Sequence, residues 1–154
     1  MLIPFAHIIE TYNPIITGIL HVGTGECDEI QEYEKHVSRE DILWVNPSSE
    51  NVVYCRQMYE GINVECINVH EIRDIVYQHN VVCNFMNIDL QGFEKQILDS
   101  LGEHLNLIDY VYVEINCTDT MLELDAHMKK YNLVNIETKW WDGGNWADVF
   151  YARL

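Results

Sequence analysis

The sequence predicts a doubly wound α/β domain, with a mostly parallel seven-stranded sheet that ends in an antiparallel hairpin. Three observations predict it: seven short apolar runs, helical periods between most of them, and a turn-rich loop where a last helix would otherwise stand.

The apolar runs predict strands at Ile15–Val22, Ile42–Val45, Ile62–Val69, Val81–Leu90, Leu107–Ile115, Leu133–Thr138 and Val149–Leu154. Glu26–Val37 reads as a helix with Ile30, Tyr33 and Val37 on one stripe, and Ser49–Glu60 as another, opened by a serine cap and closed by Gly61. His70–His79, Phe93–Leu101 and Thr118–Tyr131 complete the set, the last with Met121, Leu124, Asp125 and Met128 in period. Alternation of this kind implies right-handed crossovers and parallel strands with helices on both faces. After Thr138 comes KWWDGGNWAD, which has no helical period, so the last two strands pair antiparallel at the sheet edge.

At 154 residues and 48% hydrophobic content, one domain spanning 1–154 accounts for the chain. Nine basic residues face twenty-five acidic ones, a formal charge of −16 that repels polyphosphate. Nucleic acid is therefore not an expected partner; the other expectations, which do not come from charge, are no membrane, a small-molecule or glycan acceptor and a second copy in a homodimer. No apolar run approaches the roughly 18 residues of a membrane helix, and no basic region precedes the apolar part of MLIPFAHIIETYNP. Five scattered cysteines without a CxxC pair suit a reduced, cytoplasmic chain, and seven dispersed histidines suggest no metal site. Heavy use of asparagine and isoleucine fits an AT-rich genome of a viral type.

Ligands of such sheets bind beyond the carboxyl ends of the strands, where strand order reverses. Gly23-Thr24-Gly25 follows the first strand, with Glu26, Asp28 and Glu29 expected in the first helical turn. Acids there suit the helix dipole and oppose a pyrophosphate. A dinucleotide fingerprint would also need glycine at Asp28, so a ligand with a cationic centre, such as S-adenosylmethionine, fits better.

Asn46 and Pro47 follow the second strand, where a carboxylate would hold a cofactor ribose; asparagine brings a donor and no charge. Asp89 ends the fourth strand before Gln91, Gly92 and Glu94, either as a general base or as a cap for the next helix. Glu114 ends the apolar YVYV run and needs a ligand or a partner such as Arg73, Lys95 or a backbone amide. Of Trp140, Trp141 and Trp146, packing against the sheet is the simpler role, with Trp146 and Asp148 the best candidates for substrate contact.

Taken in order, ILHVGTGECDEIQEYEK, DILWVNPSSENV, NFMNIDLQGFEKQIL, LIDYVYVEIN, LELDAHMKKYNL and ETKWWDGGNWADVFYARL resemble the FkbM-like family of S-adenosylmethionine-dependent O-methyltransferases. NIDLQGFE is the most specific block, followed by the aromatic, acidic, Phe-Tyr ending. The resemblance implies a Rossmann-like class I methyltransferase fold and methyl transfer to a hydroxyl of a small molecule or sugar. It implies a cofactor cleft over Gly23, Thr24 and Gly25, flanked by Asn46 and Pro47, with Asp89 and Glu114 at the reacting centre. Gln91, Trp146 and Asp148 then face the acceptor.

Three departures stand beside it. Asn46 replaces the usual glutamate, Gly25 a common histidine, and the span Asn68 to Asn80 is shorter than the family's substrate wall. The alternative they raise is a methyltransferase-fold protein that binds partners without catalysis. A nucleotide-sugar or NAD enzyme is disfavoured by Asp28 and the terminal hairpin.

Overall fold

A computed structural model describes residues 2–79 and 82–154. Four central strands, β1 (Ile19–Val22), β2 (Ile42–Asn46), β4 (Phe85–Ile88) and β5 (Tyr110–Ile115), carry the buried apolar runs. With β3 (Val64–Cys66), β6 (Leu133–Trp140) and β7 (Ala147–Arg153) they form one sheet of order β3-β2-β1-β4-β5-β7-β6. β1 to β5 run parallel to one another, and β7 runs antiparallel to both β5 and β6. Strand order therefore reverses between β1 and β4. Antiparallel β7 brings its first residues beside the carboxyl end of β5, pairing Glu114 with Asp148.

Alternation along the strands sorts side chains into two cores. Leu20, Val22, Leu43, Val45, Met86, Ile88, Val111 and Val113 meet one helical layer: α4 (Ile72–His79), α5 (Glu94–Leu101) and α6 (Thr118–Met128). Ile19, Ile42, Trp44, Phe85, Tyr112 and Phe150 meet the other: α1 (Phe5–Tyr12), α2 (Ile30–Tyr33) and α3 (Ser49–Met58). Helices on both faces of a mostly parallel sheet with a terminal antiparallel pair make the predicted Rossmann-like class I methyltransferase sandwich.

Helix α1 is not anticipated by periodicity, being only 8 residues long between Pro4 and a left-handed Asn13. Phe5 docks it edge-on against Tyr33 at 4.8 Å and Phe85 at 5.3 Å. The helix expected over Glu26–Val37 shrinks to one turn, because Cys27 adopts φ 59 and Glu29 supplies no side-chain cap. Glu26, Asp28 and Glu29 consequently lie in the turn before α2 rather than within a helical first turn.

The first strand begins later than its apolar run. Asn84 accepts from the Thr17 amide at 2.8 Å and donates to the Ile15 carbonyl at 2.8 Å, holding the entry segment by a side chain instead of a ladder. The start of the expected fourth strand and the end of the Asn68–Asn80 span fall on Asn80 and Val81, outside the described residues. The expected serine cap opens α3: Ser48 accepts from the Asn51 amide at 3.3 Å. Among the described residues no helix is long and apolar enough to cross a membrane.

Candidate functional site

At the reversal point the loop after β1 is pressed against the end of β4. Gly23 has φ 94, and a Cβ there would meet the Asp89 carbonyl oxygen at 1.9 Å. Only glycine permits both the conformation and the approach. Gly25 also has positive φ, at 48, but a Cβ on it would meet nothing within 4 Å, so the loop opens onto free space above the sheet. Thr24 is buried between the two glycines.

Asn46, at the end of β2, braces this loop. Its Nδ2 donates to Thr24 Oγ1 at 3.2 Å, and its Oδ1 accepts from the Ser48 amide at 2.7 Å. The side chain is 4% exposed. Both ends of the amide are thus engaged inside the protein, and Pro47 beside it is exposed. Beneath the loop the buried thiols of Cys27 and Cys55 touch, joining it to α3.

Two cavities flank this junction. One, of about 430 Å³, lies over the ends of β2 and β3 and is lined by Pro47, Cys66, Ile67, Asn68, Val69 and Phe93. Its residues beyond Pro47 escape sequence reasoning, since an apolar run says nothing of where its end opens. A capping box shapes one wall: Asn68 Oδ1 accepts from the His70 amide, and Glu71 accepts from the Asn68 amide, both at 3.2 Å.

The second cavity, of about 400 Å³, is lined by Leu2, Glu114, Trp141, Trp146 and Asp148. Both are of the size that holds small ligands. Trp140 packs against the core as expected, whereas Trp141 and Trp146 line the cavity and stay 58% and 42% exposed. The Trp141 amide donates to the Trp146 carbonyl at 2.9 Å across the mouth of the β6–β7 loop.

Carboxylates crowd the space between loop and cavity. Glu114 pairs with neither Arg73 nor Lys95, which meet Asp74 and Asp99; it accepts from Gln91 Nε2 at 3.3 Å. Asp89 does not cap α5, which has no side-chain cap. Burial pushes the Asp89 carboxyl above the usual range, and Asp148 adds to it. Burial likewise raises Glu114, helped by Asp89 and Asp148. Glu29, in the turn, is raised by burial, Asp28 and Asp89.

Asp148 is fully buried. Its Oδ2 accepts from the Ile3 amide at 2.8 Å, from the Leu2 amide and from the Tyr112 hydroxyl. Tyr112 is pushed far above its ordinary value by burial and the Asp148 charge, so its hydroxyl stays a donor. Among the described residues no three histidine, cysteine or acidic side chains form a metal site.

No family model matches the chain, and no curated protein matches its sequence. Its fold is shared with solved methyltransferases. Ribosomal protein L11 methylase from Lactobacillus delbrueckii subsp. bulgaricus superposes with a TM-score of 0.69 at 13% identity, covering 95% of this chain and 74% of that one. TrmK from M. capricolum, in complex with S-adenosyl-homocysteine, gives 0.66 at 13% identity, covering 99% and 70%. Sp1610 of Streptococcus pneumoniae, named as a tRNA (m1A22) methyltransferase, gives 0.67 at 11%, covering 99% and 71%.

This likeness is one of fold, and it overturns one expectation. A net charge of −16 does not exclude nucleic acid for a fold that also serves a protein named as a tRNA methyltransferase. Net charge sums a whole surface, whereas exposed charges more than about 8 Å apart are largely screened at physiological salt, leaving acceptor choice to local contacts.

Proposed function

We propose that the protein is an S-adenosylmethionine-dependent methyltransferase. The observation that carries the reading is the pair of cavities on either side of the Gly23–Asp89 junction, one over β2 and β3, the other over β5 and β7. The first suits an adenine: it is mainly apolar and lies over the ends of β2 and β3, beside Pro47. The acids at Glu29 and Asp89 suit a cofactor that carries sulfonium and ammonium charges. Gly23, Thr24, Gly25 and Pro47 would border it, with Asn46 holding Thr24 in place rather than reaching the ribose. When bound, that cofactor supplies an electrophilic methyl group.

The acceptor belongs in the second cavity. Asp89 and Glu114, both with raised proton affinity, would take or hold the proton of a hydroxyl, which supports the finer reading of O-transfer to a small molecule or sugar in the FkbM manner. Gln91 fixes Glu114, and Trp146 and Asp148 bound the acceptor. Positioning of the two reactants supplies most of the rate. The fold neighbours bring RNA acceptors into the same test.

Labelled methyl transfer from S-adenosylmethionine to sugar, small-hydroxyl and RNA pools tests this reading. Incorporation that Asp89→Asn abolishes supports it; an unaltered rate removes Asp89 from the mechanism. A second reading, a binding protein of this fold without catalysis, is favoured by one observation, the Asn46 amide committed to Thr24 and Ser48. It predicts no transfer to any pool.

A further inference from the structure

The Asp148 carboxylate is satisfied on one side only. Three donors converge on Oδ2, while Oδ1, on a residue 0% exposed, has no hydrogen-bond partner among the described residues. Leaving such a buried acceptor unpaired is unfavourable, and a donor brought by a ligand removes the penalty. Asp148 lines the cavity over β5 and β7, and the other lining residues define what that donor is. Two indoles line it, Glu114 adds a second acceptor, Leu2 adds apolar surface, and none of the five is basic. Two tryptophans with two carboxylates are the components that recognise an organic cation: the rings attract its charge and the carboxylates accept its N–H groups.

We propose that this cavity binds a protonated alkylamine, so that the acceptor is a molecule bearing a primary ammonium group, held by Asp148 Oδ1 and Glu114 and flanked by Trp141 and Trp146. The substrate class rests on the methyltransferase reading; the ammonium site does not need it. Exposure of the two indoles has its explanation here, since large aromatic rings left in water beside a concave site are a common mark of ligand contact. The overall charge of −16 draws cations toward it.

Indole fluorescence of the full chain, followed while titrating at neutral pH, tests the site. The probes are 1,4-diaminobutane for a free amine, N-acetyl-lysine methylamide for a lysine side chain, 1,4-butanediol as the uncharged control, and an RNA oligonucleotide. The proposal expects saturable change with an ammonium probe, at least about tenfold weaker binding of the diol, and tenfold weakening by Glu114→Gln. Trp146→Leu, at an exposed position, is expected to weaken the amine about fivefold. Preference between the two amines identifies the source. Equal binding of diol and amine, no saturable change with either amine, or RNA displacing no amine while changing the same indoles would each overturn it. S-adenosylhomocysteine binding, measured on the same sample, separates the claims: cofactor without amine sinks the ammonium site alone, and amine without cofactor sinks the methyltransferase reading alone.

Discussion

The carbonyl oxygen of Asp89 occupies the place a Gly23 side chain would need, within 1.9 Å of its Cβ position. Loop and strand end are thereby locked into one unit at the reversal of the sheet. Gly23→Ala combines a positive φ with a backbone clash, and the conformation alone costs on the order of 1–3 kcal/mol. Gly25→Ala meets no atom within 4 Å and should cost about 1 kcal/mol. Urea unfolding of the two variants checks this: Gly23→Ala is expected to be clearly the weaker, and equal losses would show that the Asp89 contact does not set the loop.

Glu114 and Asp89 should make the protein less stable as pH rises. Their folded-state proton affinities lie above the unfolded ones, so the folded state holds more protons through the interval above the ordinary carboxylate range. Glu114→Gln removes one such group. The melting temperature of Glu114→Gln minus that of wild type is expected to grow between pH 4.5, the ordinary glutamate value, and neutrality; a flat difference would show that Glu114 is not strained by its neighbours.

His21 works in the opposite sense. It is buried against Trp44 at 4.8 Å, and its Nδ1 shares a hydrogen bond of 3.2 Å with the Tyr33 hydroxyl, which accepts from Asn87 at 2.8 Å. Burial lowers His21 from 6.5 to about 3. The unfolded chain therefore binds a proton that the folded one refuses, and stability is lost as pH falls from 6.5 toward 3. His21→Phe should flatten that acid limb in a pH series of unfolding curves, whatever it does to stability at neutral pH.

Asn46 should be a structural residue first. Asn46→Ala removes bonds to Thr24 and Ser48 and is expected to cost about 1–3 kcal/mol, measured by unfolding. Asn46→Asp keeps an acceptor for Ser48, gives up the donor to Thr24 and introduces a charge. Tighter cofactor binding by the Asp variant would mean that the buried position still communicates with a ribose; unchanged binding would confine Asn46 to bracing the loop.

Much of the fold was readable because burial on both faces leaves strands as continuous apolar runs, and because KWWDGGNWAD could not be helical. Helix α1 and the one-turn α2 were not. The first is short and flanked by Pro4, and the second depends on the left-handed Cys27, which no period reveals. At the site, Gly23, Asp89 and Glu114 announced themselves at the carboxyl ends of strands, and Trp146 and Asp148 by the tryptophan-rich stretch before the last strand. Leu2 did not, because it reaches the cavity from the other end of the chain through a backbone amide on Asp148. Nor did Phe93 or Val69, which border the cavity over β3 by tertiary placement alone.

In the proposed reading, the open loop at Gly25 and the cavity over β2 and β3 hold S-adenosylmethionine. Calorimetric titration of the purified chain with S-adenosylmethionine and S-adenosylhomocysteine tests it most directly. A saturable, one-site heat is expected for both ligands, and Gly23→Ala is expected to abolish it. No heat at millimolar ligand, with the protein shown to be folded, would contradict it.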